Sequence, residues 1–271
     1  MEQAQVSILD TGGQYCHLIA RRVRELGVYA DVLPSETPAE TLRHRRGLII
    51  SGGPASVYEP GSPLLDPATL ALGVPILGIC YGQQLFAYQL DGHVTPGTKG
   101  EYGLAHVELG ESPLFAGVAG RQQVWMSHRD QVDALPSGFR LLGATATCPI
   151  AAISDEARRL YGIQFHPEVV QTLGGPRMLE NFVLNICGCH KDWEPAHQLP
   201  VVEQQIRDIA GKRSVFFFAS GGVDSTVAYT VCLRALGPER VHATYVDTGL
   251  MREGETEFVR SEERRVGKEC A

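Results

Sequence analysis

At 271 residues the chain has room for one large domain or two of ordinary size, and 44% hydrophobic against 20% charged residues excludes a disordered or fibrous protein. A formal net charge of −7 leaves no broad basic field for nucleic acid, and no apolar run approaches the roughly 20 residues that span a bilayer. The polar start at residues 1–5 runs straight into a strand pattern, so no secretory leader is expected, and seven cysteines without paired spacing fit reduced, cytoplasmic thiols.

Residues 6–10 read as a strand, followed by a turn at Gly12-Gly13. From 14 to 26, Leu18, Ile19, Val23 and Leu26 recur at helical spacing until Gly27 ends the run. Strand patterns return at 30–33, 48–51 and 75–80, and strands alternating with helices imply a parallel sheet with crossover helices. Between 99 and 162 the pattern shifts to shorter strands separated by Gly, Pro and Ser, which predicts a mostly antiparallel edge. Residues 176–187 form a closing helix with Met178, Leu179, Phe182, Val183 and Ile186 as its apolar stripe.

Asp192, Glu194, Pro195 and Pro200 then break regular structure, and 191–200 reads as a linker between a first domain, 1–190, and a second, 201–260. The second domain shows a helix over 201–210, a strand over 215–219, a helix over 225–236 and a strand over 241–246. That is the opening βαβ unit of an α/β domain, in fewer residues than a domain usually takes. Residues 261–271 are polar and aperiodic, and a disordered tail is expected there.

Cys80 lies in Gly78-Ile79-Cys80-Tyr81-Gly82-Gln83-Gln84, directly after an apolar strand. A thiol on a strand–turn–helix elbow is exposed at the sheet edge and faces a helix N-terminus, which favours the thiolate. Downstream, His166 and Glu168 stand two apart, so in an extended segment they share a face and the carboxylate can orient the imidazole. Nucleophile, base and orienter are the minimum set for acyl transfer from an amide. Ser51-Gly52-Gly53-Pro54 follows another strand, and the Gly53 and Tyr81 amides make a candidate oxyanion hole.

A second motif, Ser220, Gly221, Gly222, Val223, Asp224, Ser225 and Thr226, joins a strand to a helix. Amides at a helix N-terminus with hydroxyls nearby suit a phosphate, and Asp224 suits Mg²⁺ held on a pyrophosphate. The Gly-Lys-Ser/Thr ending of a Walker loop is absent. Cys187-Gly188-Cys189-His190 invites a metal, but tetrahedral zinc needs a second ligand pair and none follows.

These stretches, with Trp125-Met126-Ser127-His128 and Val246-Asp247-Thr248-Gly249, resemble the glutamine-hydrolysing GMP synthases across nearly all of 6–259. The Cys80 and His166 motifs are shared by all class I amidotransferases; the combination with the second loop is specific. The resemblance implies a class I glutamine amidotransferase domain, mostly parallel sheet flanked by helices, followed by a truncated α/β ATP pyrophosphatase domain. It implies a ligase of purine biosynthesis in which Cys80, His166 and Glu168 release ammonia from glutamine. The ammonia then aminates xanthosine monophosphate (XMP) adenylated by ATP with Mg²⁺. It further implies glutamine contacts at Gln84, Ser127 and His128, a homodimer for the full-length family and a monomer for this chain. Residues 187–193 resemble the family's interdomain segment rather than a metal site.

Two departures stand out: Arg129 occupies a position where the family generally has glycine, in an expected turn over 127–130, and Thr11-Gly12-Gly13 is unusual beside Gln14. The rest of the ATP domain and the family's xanthylate-binding dimerisation domain find no match here. Two other readings remain open: a non-catalytic fragment, and a free-standing ammonia-supplying protein, against which the second loop argues.

Overall fold

The computed structural model describes residues 4–219, 222–245, 254, 256 and 257. The chain divides into two compact units, Glu2–Trp193 and a second that begins at Glu194. In the first, in chain order, lie β1 (Val6–Asp10), α1 (Cys16–Glu25), β2 (Ala30–Pro34), α2 (Ala39–Leu42) and β3 (Gly47–Ile50). These are followed by β4 (Ile76–Ile79), α3 (Tyr81–Gln89), β5 (His93–Leu109), β6 (Arg121–Ala134) and β7 (Arg140–Ala144). Then come β8 (Ala152–Asp155), β9 (Leu160–Ile163) and α4 (Gly175–Glu180).

The nine strands form one sheet in the order β2-β1-β3-β4-β9-β8-β7-β5-β6. From β2 to β9 neighbours run parallel; from β9 onward they run antiparallel. Side-chain alternation sends Val6, Ile8 and Leu77 to one face, against Ile19 and Val23 of α1 and Met178 and Leu179 of α4. Leu9, Leu48, Ile50 and Ile76 go to the other, against Leu42 of α2 and Leu85 and Phe86 of α3. Both faces are covered, which is why β3 and β4 are buried at every position. Each fully buried Leu, Ile or Phe stabilises the layer by roughly 1.5–3 kcal/mol.

The antiparallel edge is there, but its strands are not short: β5 has 17 residues and β6 has 14. The Gly and Pro in β5 mark irregular register between Pro96 and Glu101 inside one long strand, not strand ends. The closing helix is α-helical only to Glu180; Asn181–Ile186 continues as a π-helix. There the buried Asn181 amide donates to the carbonyls of Leu114 and Ala116.

The second unit opens with α5 (Pro195–Ala210), so helix replaces the predicted irregular stretch from residue 195. Proline at the first helical position has no intrahelical donor to lose and its φ is already helical; Pro200 sits within the helix. β10 (Val215–Ala219), α6 (Val223–Leu236) and β11 (Val241–Tyr245) follow. β10 and β11 pair in parallel, so this is the predicted βαβ unit. α6 starts at Val223, two residues earlier than predicted, because Gly222 in extended backbone can precede the first turn. Among the described residues only Ala210, Tyr229 and Val241 are buried apolar side chains of this unit, while Phe216 is 58% and Phe218 78% exposed. No helix of the described residues is long and apolar enough to cross a membrane.

Candidate active site

Register places the site. Ile50 pairs with Gly78 and Ile79 with Ile163, so the segments leaving β3, β4 and β9 emerge side by side at the carboxyl edge of the parallel strands. Cys80 alone makes the turn from β4 into α3, with φ 52° and ψ −102°. A non-glycine residue there carries strain on the order of 1–3 kcal/mol. Packing enforces it: a Cβ on Gly78 would stand 2.5 Å from the carbonyl carbon of Gly82, and one on Gly82 would stand 2.7 Å from the Ile50 oxygen. The Cys80 amide donates to the Ile163 carbonyl at 2.7 Å, tying the elbow to β9.

His166 follows β9. Its amide donates to the Trp125 carbonyl at 3.0 Å, and its carbonyl accepts from Thr172 Oγ1 at 2.6 Å. The ring packs edge-on against Tyr15, with centroids 5.3 Å apart. His166 Nδ1 lies 2.7 Å from Glu168 Oε1, and the Glu168 side chain is fully buried. Burial alone would pull the imidazole pKa down. Hydrogen bonds to Cys80 and Glu168, with their charges, reverse this and raise it from 6.5 to about 10. Cys80 Sγ sits 3.4 Å from Gln164 Nε2 and 3.7 Å from the Ser127 carbonyl oxygen. The three residues singled out as nucleophile, base and orienter are therefore brought together.

Cys80 and His166 open on a pocket of about 630 Å³ also lined by Gly53, Gln84, Ser127 and His128, with Glu168 buried behind them. Tyr81 is not among the lining residues; its amide stands in the first turn of α3, directly after Cys80, where helix donors lack intrahelical partners. Its side chain is buried elsewhere, donating to the Pro63 carbonyl at 2.7 Å. Gln84 Nε2 is taken by the Asp130 carbonyl at 2.8 Å and Gln164 Oε1 at 3.3 Å. The His128 ring nitrogens face the Asp130 carbonyl at 2.9 Å and Glu101 Oε2 at 3.3 Å.

Both departures noted in the sequence are accommodated. Residues 127–130 are not a turn but part of β6, and Arg129 is absent from the positive-φ residues, so nothing at its position requires glycine. Thr11 Oγ1 donates to the carbonyls of Ser51 and Gly52, at 3.1 and 2.9 Å. A Cβ on Gly13 would fall 1.9 Å from the Gly52 oxygen, so this glycine is what lets the two loops close on each other.

Gln164, Thr172 and Tyr15 support the site without having been singled out beforehand. Gln164, two residues before His166, shared a readable face with it; nothing in the sequence distinguished Thr172. In the second unit, Gly222 precedes α6, Asp224 is exposed in its first turn, and the Ser225 and Thr226 hydroxyls donate to the Gly222 carbonyl at 2.9 and 3.0 Å. Ser220 and Gly221 lie outside the described residues, as do 246–249 and 261–271.

Comparison with known proteins agrees with this geometry. Residues 7–186 match the model of the family "Glutamine amidotransferase class-I". The chain is 49% identical over 258 residues to the GMP synthase [glutamine-hydrolyzing] of Symbiobacterium thermophilum, covering 94% of this chain and 50% of that protein. With the enzyme of the same name from Aquifex aeolicus it shares 43% identity over 270 residues, covering 98% and 53%. It thus spans about half the length of the curated relatives it matches. The crystal structure of "a putative gmp synthase subunit a protein" from Thermoplasma acidophilum aligns with a TM-score of 0.61 at 30% identity, over 69% of this chain and 96% of that one. With its Cys80 elbow, its sheet and two thirds of its length in agreement, the chain belongs to the class I glutamine amidotransferases.

Proposed function

We propose that the first domain, residues 1–190, hydrolyses glutamine to glutamate and ammonia. The observation that carries this reading is the Cys80 thiol and the Glu168-held imidazole of His166 facing one pocket. Cys80 Sγ attacks the side-chain amide carbon. The oxyanion is met by the amides of Gly53 and Tyr81, each such donor contributing about 3–4 kcal/mol of transition-state stabilisation. The imidazolium of His166 gives its proton to the departing ammonia, then takes one from the water that cleaves the thioester. Glu168 holds the ring in the required tautomer. Gln84, Ser127 and His128 contact the substrate, the Ser127 carbonyl lying 3.7 Å from Sγ.

A glutamine-shaped electrophile tests the pocket directly. It is expected to alkylate Cys80 before any other thiol, as read by peptide mass mapping. Burial pushes the Cys16 thiol up to about 12 and raises that of Cys187, and Cys148 is fully buried. Cys189 is the rival for a generic alkylator, its pKa being lowered by the Cys187 hydrogen bond, but it does not line the pocket. First labelling at Cys189 would contradict the assignment.

For the second unit the relatives' shared name supports a synthetase role: ammonia feeding ATP-dependent amination of XMP to GMP in the full-length, homodimeric protein. Residues 201–260 are then the opening part of an ATP pyrophosphatase domain joined through 191–200, with 261–271 as a tail. Ser220, Gly221, Gly222, Val223, Asp224, Ser225 and Thr226 would hold ATP, and Asp224 offers oxygens suited to Mg²⁺. The exposed start of α6 fits a polyphosphate. In the full-length protein Asp224→Ala is expected to cut ammonium-driven GMP formation at least tenfold and leave glutamate release unchanged. Unchanged GMP formation would remove the assignment.

A further inference from the structure

Three metal-ligating side chains meet behind the pocket, and of these only His128 also lines it. They come from β5, β6 and the connection between β7 and β8. The Glu101 carboxylate, a His128 ring nitrogen and Cys148 Sγ all lie within 4.8 Å of one another. His128 Nε2 and Glu101 Oε2 are 3.3 Å apart. That is close to the edge of a tetrahedron drawn around zinc with nitrogen and oxygen ligands at about 2.0–2.1 Å.

The surroundings are those of an oriented ligand set. His128 Nδ1 donates to the Asp130 carbonyl at 2.9 Å, which orients the ring with Nε2 toward Glu101 Oε2. Thr145 and Thr147 hydroxyls hold Glu101 Oε1 at 3.1 and 2.7 Å. The Cys148 amide donates to Thr145 Oγ1 at 2.9 Å, so one hydroxyl braces two of the three groups. The site is shielded from water: Cys148 is fully buried, the His128 side chain is 4% exposed and that of Glu101 is 15%.

We propose that Glu101, His128 and Cys148 bind a divalent metal, zinc by their oxygen, nitrogen and sulfur donors, with a fourth position left to water. On binding, the Cys148 thiol releases its proton to solvent and an Sγ–metal bond forms; nothing is oxidised or reduced. The set shares His128 with the proposed glutamine contacts but includes none of Cys80, His166 and Glu168, and it stands whether or not these hydrolyse glutamine.

The experiment uses Cys80→Ala as host, so that the pocket thiol cannot compete for metal. Titration with Co²⁺ should give one equivalent with a thiolate-to-metal charge-transfer band, displaced by Zn²⁺. Competition against a chromophoric chelator gives the zinc affinity. Adding Cys148→Ser should abolish the band and weaken zinc binding at least tenfold, and Thr147→Val should weaken it about tenfold through the carboxylate it orients. If Cys148→Ser fails to fold, Glu101→Gln, at a partly exposed position, supplies the same affinity readout. An unchanged band and affinity in these variants, as binding at Cys187 and Cys189 would give, or the absence of any stoichiometric zinc, overturns the proposal.

Discussion

Cys80→Ala is expected to lower glutamate release from glutamine by on the order of 10⁴-fold, because no other group in the pocket can form the thioester. Alanine keeps the Cβ, so the strained φ of 52° and the elbow packing are as well tolerated as before. Thermal midpoint and circular dichroism should therefore match wild type, which separates lost chemistry from lost fold. A rate within tenfold of wild type would show that hydrolysis, if present, does not run through this thiol.

Glu168→Gln should cost roughly 10²–10⁴-fold in the same assay, and its pH dependence is the sharper readout. Burial pulls the His166 pKa down, and the hydrogen bonds to Cys80 and Glu168 bring it up to about 10. Without the carboxylate charge, one of the raising influences is gone and the imidazolium gives up its proton at lower pH. The leaving ammonia then lacks its acid in a range where wild type still supplies it, so the deficit should grow as pH rises above neutral. The sign for stability agrees. A folded-state pKa raised above 6.5 stabilises fully below that value, and the contribution is lost as pH rises through about 10. In the variant this loss should begin at lower pH. Parallel pH profiles for the two proteins, in rate and in thermal midpoint, would show that Glu168 does not set the proton affinity of His166.

The legible part of this molecule was the part written in short, local patterns. The Cys80 elbow needs glycines at fixed offsets, because backbone meets backbone there, and both glycines stand in the sequence around the thiol. His166 and Glu168 are two apart and meet, as extended backbone requires. What stayed hidden depends on partners distant in sequence. Thr172 earns its role by bridging Trp125 and His166, and no local pattern announces a hydroxyl with that duty. The long β5–β6 pair was obscured because glycine and proline punctuate a bulged strand as readily as they end one. His128 lines the pocket, yet its ring nitrogens face Asp130 and Glu101, an orientation set by a register shift that composition does not reveal.

The pairing of Ile79 with Ile163 has a further consequence for how such a site can vary. Thiol and imidazole leave adjacent strands one residue and three residues past that pair, so their separation is governed by the hydrogen-bond spacing of a parallel ladder, about 4.8 Å, rather than by the chain that runs between them. Insertions or deletions at an exposed turn of the intervening excursion, such as Glu156–Arg159, would leave the reacting atoms in register. Substitutions at Tyr102 or Arg129, which line the pocket from that excursion, would reshape its walls instead. The design decouples which substrate is admitted from what is done to it, so the two can be altered by separate mutations.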